Sequence, residues 1–150
     1  FDGGPRWTGE AMPGMYRVDV NTGETSWFQR HADRCGDRAH CQPGISAPAS
    51  AIDGAVVAGA MNGILRAYAA DSGEILWQFD SAREFDTLSG KAGRGGSSSG
   101  GSGPVFADGM LYVNSGYGIY DHMPGNVLLA FGLAESAEPS TLRNLPDDPE

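Results

Sequence analysis

The chain has two cysteines, Cys35 and Cys41, six positions apart in a polar stretch that also contains His31 and His40. One interpretation is a small-loop disulfide, which would place the protein in an oxidising compartment. A second is a metal site built from the two cysteines and the two histidines, although the spacing matches no Cys-x-x-Cys knuckle and no Cys-x-x-Cys-His haem attachment. A third is a pair of free thiols. We favour the disulfide and expect a periplasmic or secreted protein.

The segment from Gly90 to Gly103 is rich in small residues, with seven glycines and four serines in 14 positions. This composition is typical of a flexible linker. The alternative is a loop whose bare backbone approaches a planar, anionic cofactor, with Arg94 supplying the positive charge. A nucleotide-phosphate loop is excluded, because Pro104 and a strand pattern follow where a helix would be needed. On the second interpretation, Arg94, Gly95 and Gly96 are candidate cofactor-binding residues.

Three further polar residues lie nearer the C-terminus. Asn114 ends an apolar run, where its amide either faces a ligand or hydrogen-bonds its own backbone in a turn. We include Asn114 among the candidate cofactor-binding residues. Asp121 and His122 lie in the loop before Pro124, and we interpret His122 as a solvated surface residue. No catalytic residue and no metal ligand can be assigned from the sequence.

Composition and charge restrict the class of partner. The chain has 19 acidic and 10 basic residues among 150, and its formal net charge of −9 argues against binding nucleic-acid backbones, which requires a basic face. No apolar run approaches the ~20 residues of a membrane span. Hydrophobic residues make up 40% of the chain, which is too many for a wholly disordered protein. Residues 134–150 are acidic and rich in proline, and they predict a disordered tail.

An internal repeat organises the remaining sequence. The segment from Thr22 to Trp27 returns from Ser72 to Trp77, with the hydroxyl residue, Gly, Glu and Trp at one offset of 50 positions. A second similarity relates residues 48–59 to residues 104–115, each of which contains an Asp-Gly pair. Recurrence at this spacing indicates an array of similar structural units.

The repeated segments predict short antiparallel strands joined by tight turns. Asp53-Gly54 is a strong hairpin signal between two apolar runs, and turns at 61–63 and 71–73 lead into two more strands. Four hairpin-connected strands, without a helical period of comparable length, favour a propeller blade over a solenoid of sheets. We expect an all-β fold, a partial β-propeller of four-stranded antiparallel sheets, with one full blade, most of a second and half of a third.

The sequence around each repeated tryptophan resembles the tryptophan-docking motif of the quinoprotein propellers, Ala-x-Asp-x-x-Thr-Gly-x-x-x-Trp. Residues 17–27 match it at every key position except the Ala, and residues 67–77 match Ala, Gly and Trp, with Ser for Thr and Ala69 for Asp. In this family the indoles pack between neighbouring blades, which suits a large ring with one N–H to satisfy. The resemblance implies structural roles for Trp27, Trp77, Gly23 and Gly73.

Residues 93–96, 111–117 and 125–131 resemble the closing blades of quinoprotein dehydrogenases, especially the polyvinyl-alcohol dehydrogenase type. The resemblance implies an eight-bladed propeller that oxidises polymeric or secondary alcohols with pyrroloquinoline quinone (PQQ) and calcium. It also implies electron transfer to a cytochrome c. The guanidinium of Arg94 suits a carboxylate-bearing quinone, because it can bind a carboxylate bidentately.

The same blade motif occurs in non-catalytic relatives, including an outer-membrane assembly lipoprotein that uses the propeller as a protein-binding scaffold. A scaffold is therefore the alternative function. The family's calcium ligands and catalytic base cannot be placed on this chain. Because propellers close with about 4–8 blades, we expect residues 1–133 to be the C-terminal blades of a longer protein, which would need the missing blades as partners for activity.

Overall fold

The structure, a computed structural model, describes residues 10–132, and the predicted tail at 134–150 lies outside them. Eleven strands and no helix occur in that range, and accordingly none of its elements is a long apolar helix of the kind that crosses a membrane. The strands are β1 (Gly14–Val18), β2 (Thr25–Arg30), β3 (Ser50–Ile52), β4 (Ala55–Gly59), β5 (Ile64–Ala69), β6 (Ile75–Asp80), β7 (Glu84–Asp86), β8 (Ala92–Arg94), β9 (Val105–Ala107), β10 (Met110–Ser115) and β11 (Val127–Gly132).

Strands β3 to β6 form a four-stranded antiparallel sheet in sequence order, with tight turns between neighbours. The register pairs Ala55 with Ala69 across β4 and β5. The turn between β3 and β4 contains Gly54, which has a φ of 76°, a left-handed conformation that glycine adopts without steric cost. This meander is a complete propeller blade, as the repeat predicted.

Two incomplete sheets accompany the complete blade. Strands β9–β11 form a three-stranded antiparallel sheet, and β1–β2 form a two-stranded one. The register shifts between Arg17 and Val18 in β1 and between Ala67 and Tyr68 in β5, at equivalent positions of the repeat. The repeat therefore extends to backbone irregularities, and the predicted partial β-propeller is confirmed.

The main hydrophobic core joins the complete blade to the three-stranded sheet. Val57 and Leu65 from the blade cluster with Leu111 and Val113 from β10. Burial in β10 alternates with a period of two, so that one face of the strand is directed at the core. Each buried aliphatic side chain of this size contributes ~1.5–3 kcal/mol relative to an exposed one, and this core stabilises the packing of the two sheets.

The Gly-rich segment is packed against the complete blade, and the flexible-linker interpretation of its composition is therefore wrong. Residues 95–100 are all buried. The Ser97 hydroxyl donates to the carbonyl of Met61 at 2.6 Å. A Cβ added at Gly95 would lie 1.7 Å from the carbonyl oxygen of Ser81. The small residues are there because two backbones approach closely.

A short hairpin that the sequence patterns did not predict precedes this segment. In it β7 pairs with β8, and Glu84 lies opposite Arg94. The guanidinium of Arg83 lies over the rings of Phe79 and Phe85, 4.7 and 5.0 Å from their centroids, an arrangement that favours a cation. Arg94 consequently ends a strand instead of lying in a loop.

Candidate functional site

An open cavity of about 620 Å³ lies where three segments of the chain meet, and this volume is in the range of small-molecule sites. The segments are residues 38–40, 94–96 and 123–126, with Ala82 between them. Two arginines and one histidine line the cavity, and no Asp or Glu is among its described lining residues. The described lining of the cavity is therefore cationic in a chain whose net charge is −9.

The backbone of Arg94 is held at this cavity by Asn126. The Asn126 side-chain oxygen accepts the Arg94 N–H at 2.9 Å, and the Asn126 N–H donates to the Arg94 carbonyl at 2.8 Å. The pairing of Arg94 with Glu84 in the hairpin adds a further constraint. The side chain of Arg94 stays exposed at the cavity, so its charge is available to a ligand.

Gly95 and Gly96 form a part of the cavity wall that has no side chains. A Cβ added at Gly96 would lie 2.2 Å from the carbonyl oxygen of Met123, and Gly95 is similarly restricted. Chain packing by itself thus requires glycine at both positions. The same two residues contribute only backbone to the wall.

Asn114, the fourth predicted cofactor residue, is not among the residues that line this cavity. It is half-buried in β10, and its Nδ2 donates to the hydroxyl of Ser102 at 3.4 Å. Its role in cofactor binding stays a prediction that this cavity does not support.

Cys35 and Cys41 form a disulfide, with their Cα atoms 5.5 Å apart. The three residues of the loop that reach the cavity, Arg38, Ala39 and His40, all lie between these cysteines. The disulfide that the sequence favoured is therefore part of the structure and closes a segment of the cavity wall.

His31 does not join the cysteines in a metal site. Its Nδ1 lies 2.8 Å from the carbonyl oxygen of Pro43, and its Nε2 lies 2.6 Å from the hydroxyl of Tyr68. Because a carbonyl oxygen only accepts, Nδ1 carries the proton, and in the neutral ring Nε2 accepts from Tyr68. Within residues 10–132, no group of three or more His, Cys, Asp or Glu side chains is placed to hold a metal ion.

Two side-chain contacts join the region of the disulfide loop to the loop before β11. The Nδ1 atom of His40 contacts the carboxylate of Asp121. The hydroxyl of Ser46 lies 3.2 Å from Nε2 of His122. His122 is half-buried, so the interpretation of it as a solvated surface residue is wrong.

Trp27 joins the half blade to the complete blade. Its indole N–H donates to the carbonyl of Ala70 at 3.2 Å, and the guanidinium of Arg17 donates to the same carbonyl at 3.1 Å. A Cβ added at Gly73 would lie 2.6 Å from the indole ring. The structure thus shows an indole docked on the glycine-containing turn of the next blade.

Trp77 and Gly23 have different surroundings. Trp77 lines an apolar groove of about 320 Å³ between the complete blade and the three-stranded sheet. Its ring meets the ring of Phe131 edge to face, with centroids 5.1 Å apart. Gly23 has a φ of 75°, and nothing lies within 4 Å of a Cβ added there. The turn therefore favours glycine at position 23 for its backbone conformation alone.

Sequence reasoning missed Arg38, His40 and Asn126 as residues of the cavity. Arg38 precedes Arg94 by 56 positions, and no spacing rule relates the two. The available signal was local, because a disulfide between Cys35 and Cys41 commits the residues between them to one compact loop.

The meander topology and the docked indole define repeats of the β-propeller type. Over 81% of its length, the chain is similar to the curated polyvinyl-alcohol dehydrogenases of Pseudomonas sp, with 36% identity over 132 residues, and of Sphingopyxis sp. (strain 113P3), with 34% over 134 residues. It spans 20% of the length of each of these proteins. The resemblance predicted from the motifs is confirmed.

The chain was also compared with models of protein families and with solved structures. A scan against models of protein families gives no match. Among solved structures, BamB from Moraxella catarrhalis is similar with a TM-score of 0.48 and 18% sequence identity, over 68% of this chain and 28% of that one.

Proposed function

We propose that this chain is part of a PQQ-dependent alcohol dehydrogenase and that its cationic cavity takes part in binding the quinone. The observation that carries the proposal is that Arg38 and Arg94 line the same cavity, whose described lining includes no acidic residue. The quinone is planar and bears several carboxylates, and guanidinium groups bind carboxylates in a bidentate geometry.

The residues at the cavity fit such a ligand in shape as well as charge. The bare backbone of Gly95 and Gly96 offers a wall for a flat ring system, and about 620 Å³ is sufficient for it. When bound, PQQ supplies the redox chemistry, since it accepts two electrons and two protons from an alcohol. The residues of this chain would bind and orient it, with the charge of Arg94 presented from a backbone that Asn126 holds.

The described residues do not form a comparable site for calcium. Residues 10–132 provide no cluster of three or more His, Cys, Asp or Glu side chains for a metal. We therefore assign neither the calcium ligands nor the catalytic base that the family resemblance implies, and we derive no step through them.

The remaining parts of the proposal rest on the names of the relatives, on the family resemblance and on the disulfide. Both carry the name polyvinyl-alcohol dehydrogenase, and we propose a polymeric or secondary alcohol as substrate and a cytochrome c as electron acceptor. Residues 1–133 would form the C-terminal blades of an eight-bladed propeller. The disulfide supports a periplasmic or secreted location, because such bonds persist in oxidising compartments.

The test compares quinone binding by Arg94→Ala and Lys91→Ala variants of the full-length protein. Lys91 is a matched control, since it is exposed in the same segment but does not line the cavity. Loss of a charge-assisted, bidentate contact predicts an affinity about tenfold lower or more for Arg94→Ala. Lys91→Ala should leave it unchanged, as measured by titration with PQQ in the presence of calcium.

Two results would contradict the proposal at different levels. An unchanged affinity in Arg94→Ala removes Arg94 from the quinone site. Failure of the full-length wild-type protein to bind PQQ, together with failure to oxidise any alcohol with an artificial electron acceptor, excludes the enzyme and leaves the scaffold alternative.

A further inference from the structure

The disulfide loop, defined as residues 35–41, contributes three consecutive residues to the wall of the cationic cavity. It belongs to a connection of 19 residues between β2 and β3 that contains no strand and no helix. The loop is therefore not held at the cavity by a sheet. Contacts of the flanking residues His31 and Gly44 anchor the connection, and the bond between Cys35 and Cys41 restrains the conformation of the loop between them.

The guanidinium of Arg38 is attached to the backbone of this same loop. Its Nε donates to the carbonyl of Cys35 at 3.3 Å, and one terminal nitrogen donates to the carbonyl of Arg34 at 2.7 Å. The backbone N–H of Arg38 also donates to Cys35, and that of Cys41 donates to Arg38. The position of the loop backbone therefore determines the position of the Arg38 charge.

His40, within the disulfide loop, contacts Asp121 of the loop before β11. Both side chains are largely exposed, and exposed ion pairs are worth only about 0–1 kcal/mol. This contact is too weak to hold the loop in one conformation by itself. The covalent bond between the cysteines is the strong constraint.

We propose that the Cys35–Cys41 disulfide is a redox-sensitive positioning element that controls anion binding at the cavity through Arg38. The proposal rests on the proposed function, in which this cavity binds the carboxylates of the quinone. A dithiol reduces the bond: its two S–H groups yield their hydrogens, Cys35 and Cys41 become thiols, and the dithiol becomes a disulfide. Cys41 is more exposed than the buried Cys35, so we expect attack at the Cys41 sulfur.

Reduction removes the constraint that confines the loop. The segment then samples many more conformations, because closing a loop is an entropic restriction that the bond had imposed. Arg38 follows its backbone away from the cavity, whereas Arg94 stays, since the β7–β8 hairpin and Asn126 hold it. The cavity loses one of its two guanidinium groups, and anion affinity falls.

The experiment measures PQQ affinity of the full-length protein in four forms: oxidised wild type, dithiol-reduced wild type, Arg38→Gln, and reduced Arg38→Gln. The dithiol is removed under inert gas before PQQ is added, because thiols add to quinones. We expect reduction to lower wild-type affinity about tenfold. Arg38→Gln should bind as weakly as the reduced wild type and should not respond to reduction. A response of equal size in both proteins would overturn the proposal, because the disulfide would then not act through Arg38.

Two additional measurements separate this proposal from the proposed function. Citrate serves as a second tricarboxylate probe: binding of citrate that depends on reduction, without any binding of PQQ, supports the redox control and rejects the quinone. Absence of binding of both probes to the oxidised protein overturns both proposals. Trypsin cleavage after Arg38 should increase on reduction while cleavage after Lys91 does not, and an unchanged rate at Arg38 contradicts release of the loop.

A Cys35→Ser, Cys41→Ser double variant extends the test without any reductant. It should reproduce the affinity of the reduced wild type. If the double variant fails to fold, the comparison of reduced wild type with reduced Arg38→Gln still decides the question, since both start from folded, oxidised protein.

Discussion

The indole of Trp27 lies against Gly73, so that one blade contacts the next where a side chain is missing. A Cβ at position 73 would come within 2.6 Å of the ring, and Gly73 also has a φ of 77°. The glycine of the docking motif therefore serves two purposes, a left-handed turn within its own blade and a contact surface for the neighbouring one.

Gly73→Ala should destabilise the full-length protein more than Gly54→Ala. Both glycines have a φ near 76°, so both substitutions carry the same left-handed strain of ~1–2 kcal/mol. Nothing lies within 4 Å of an added Cβ at Gly54, whereas the indole obstructs it at Gly73. Overpacking adds ~1–3 kcal/mol. Urea unfolding of the two variants measures the difference, and equal midpoints would contradict the contact.

Trp27→Phe should lose the hydrogen bond to Ala70 while keeping an aromatic ring at the contact. Such a bond is worth ~0.5–1.5 kcal/mol, whereas Trp27→Ala should cost ~3–5 kcal/mol because the ring is lost as well. Val20→Ala is the control, since Val20 is 95% exposed and its truncation should change little. Thermal melting ranks the three variants. If Trp27→Phe were as unstable as Trp27→Ala, the ring itself would contribute nothing to the contact, contrary to this prediction.

Ser115→Ala should destabilise the junction of the Gly-rich segment. The buried Ser115 hydroxyl accepts from the N–H of Gly96 at 2.9 Å and lies 2.8 Å from the hydroxyl of Ser81. Removing it leaves a buried N–H without a partner, which costs ~1–3 kcal/mol. Ser26→Ala, at an exposed position of β2, is the matched control. Comparable stability of the two variants would show that the hydroxyl is dispensable.

Asp19→Asn should reduce stability at neutral pH and lose this effect in acid. Backbone N–H groups of Asn21 and Thr22 donate to the Asp19 carboxylate and lower its pKa below the usual value of about 3.8. A depressed pKa in the folded state means that the charged form contributes stability above about pH 4, and that this contribution disappears as the pH falls through the folded pKa. Melting temperatures between pH 7 and pH 2 should converge, and a constant gap would refute the assignment.

Much of the fold could be predicted because its signals are local. The boundaries of β5, β9 and β10 follow from apolar runs and flanking turns, and the turn at Gly54 follows from an Asp-Gly pair. The hairpin β7–β8 was missed because its strands have three residues each and contain Gly93, so they lack the alternating pattern of a half-buried strand.

The candidate site was predictable only in part. Arg94 and its two glycines were identified from composition and resemblance, and they line one wall of the cavity. Asn114 looked equivalent in sequence but lies elsewhere, because side chains in β10 alternate between two faces and Asn114 is on the face away from the buried core residues.

The sequence by itself determined the strands of the repeated units, their order, the repeat and the glycines at tight turns, because each depends on residues close together along the chain. Tertiary structure decided which distant segments share the cavity. Arg38, Arg94 and Asn126 come together only when sheets pack side by side and the disulfide loop folds over their junction. The Gly-rich segment is buried because its backbone packs closely against another part of the chain, as at Gly95 against Ser81. The composition of the segment does not indicate which part of the chain it packs against.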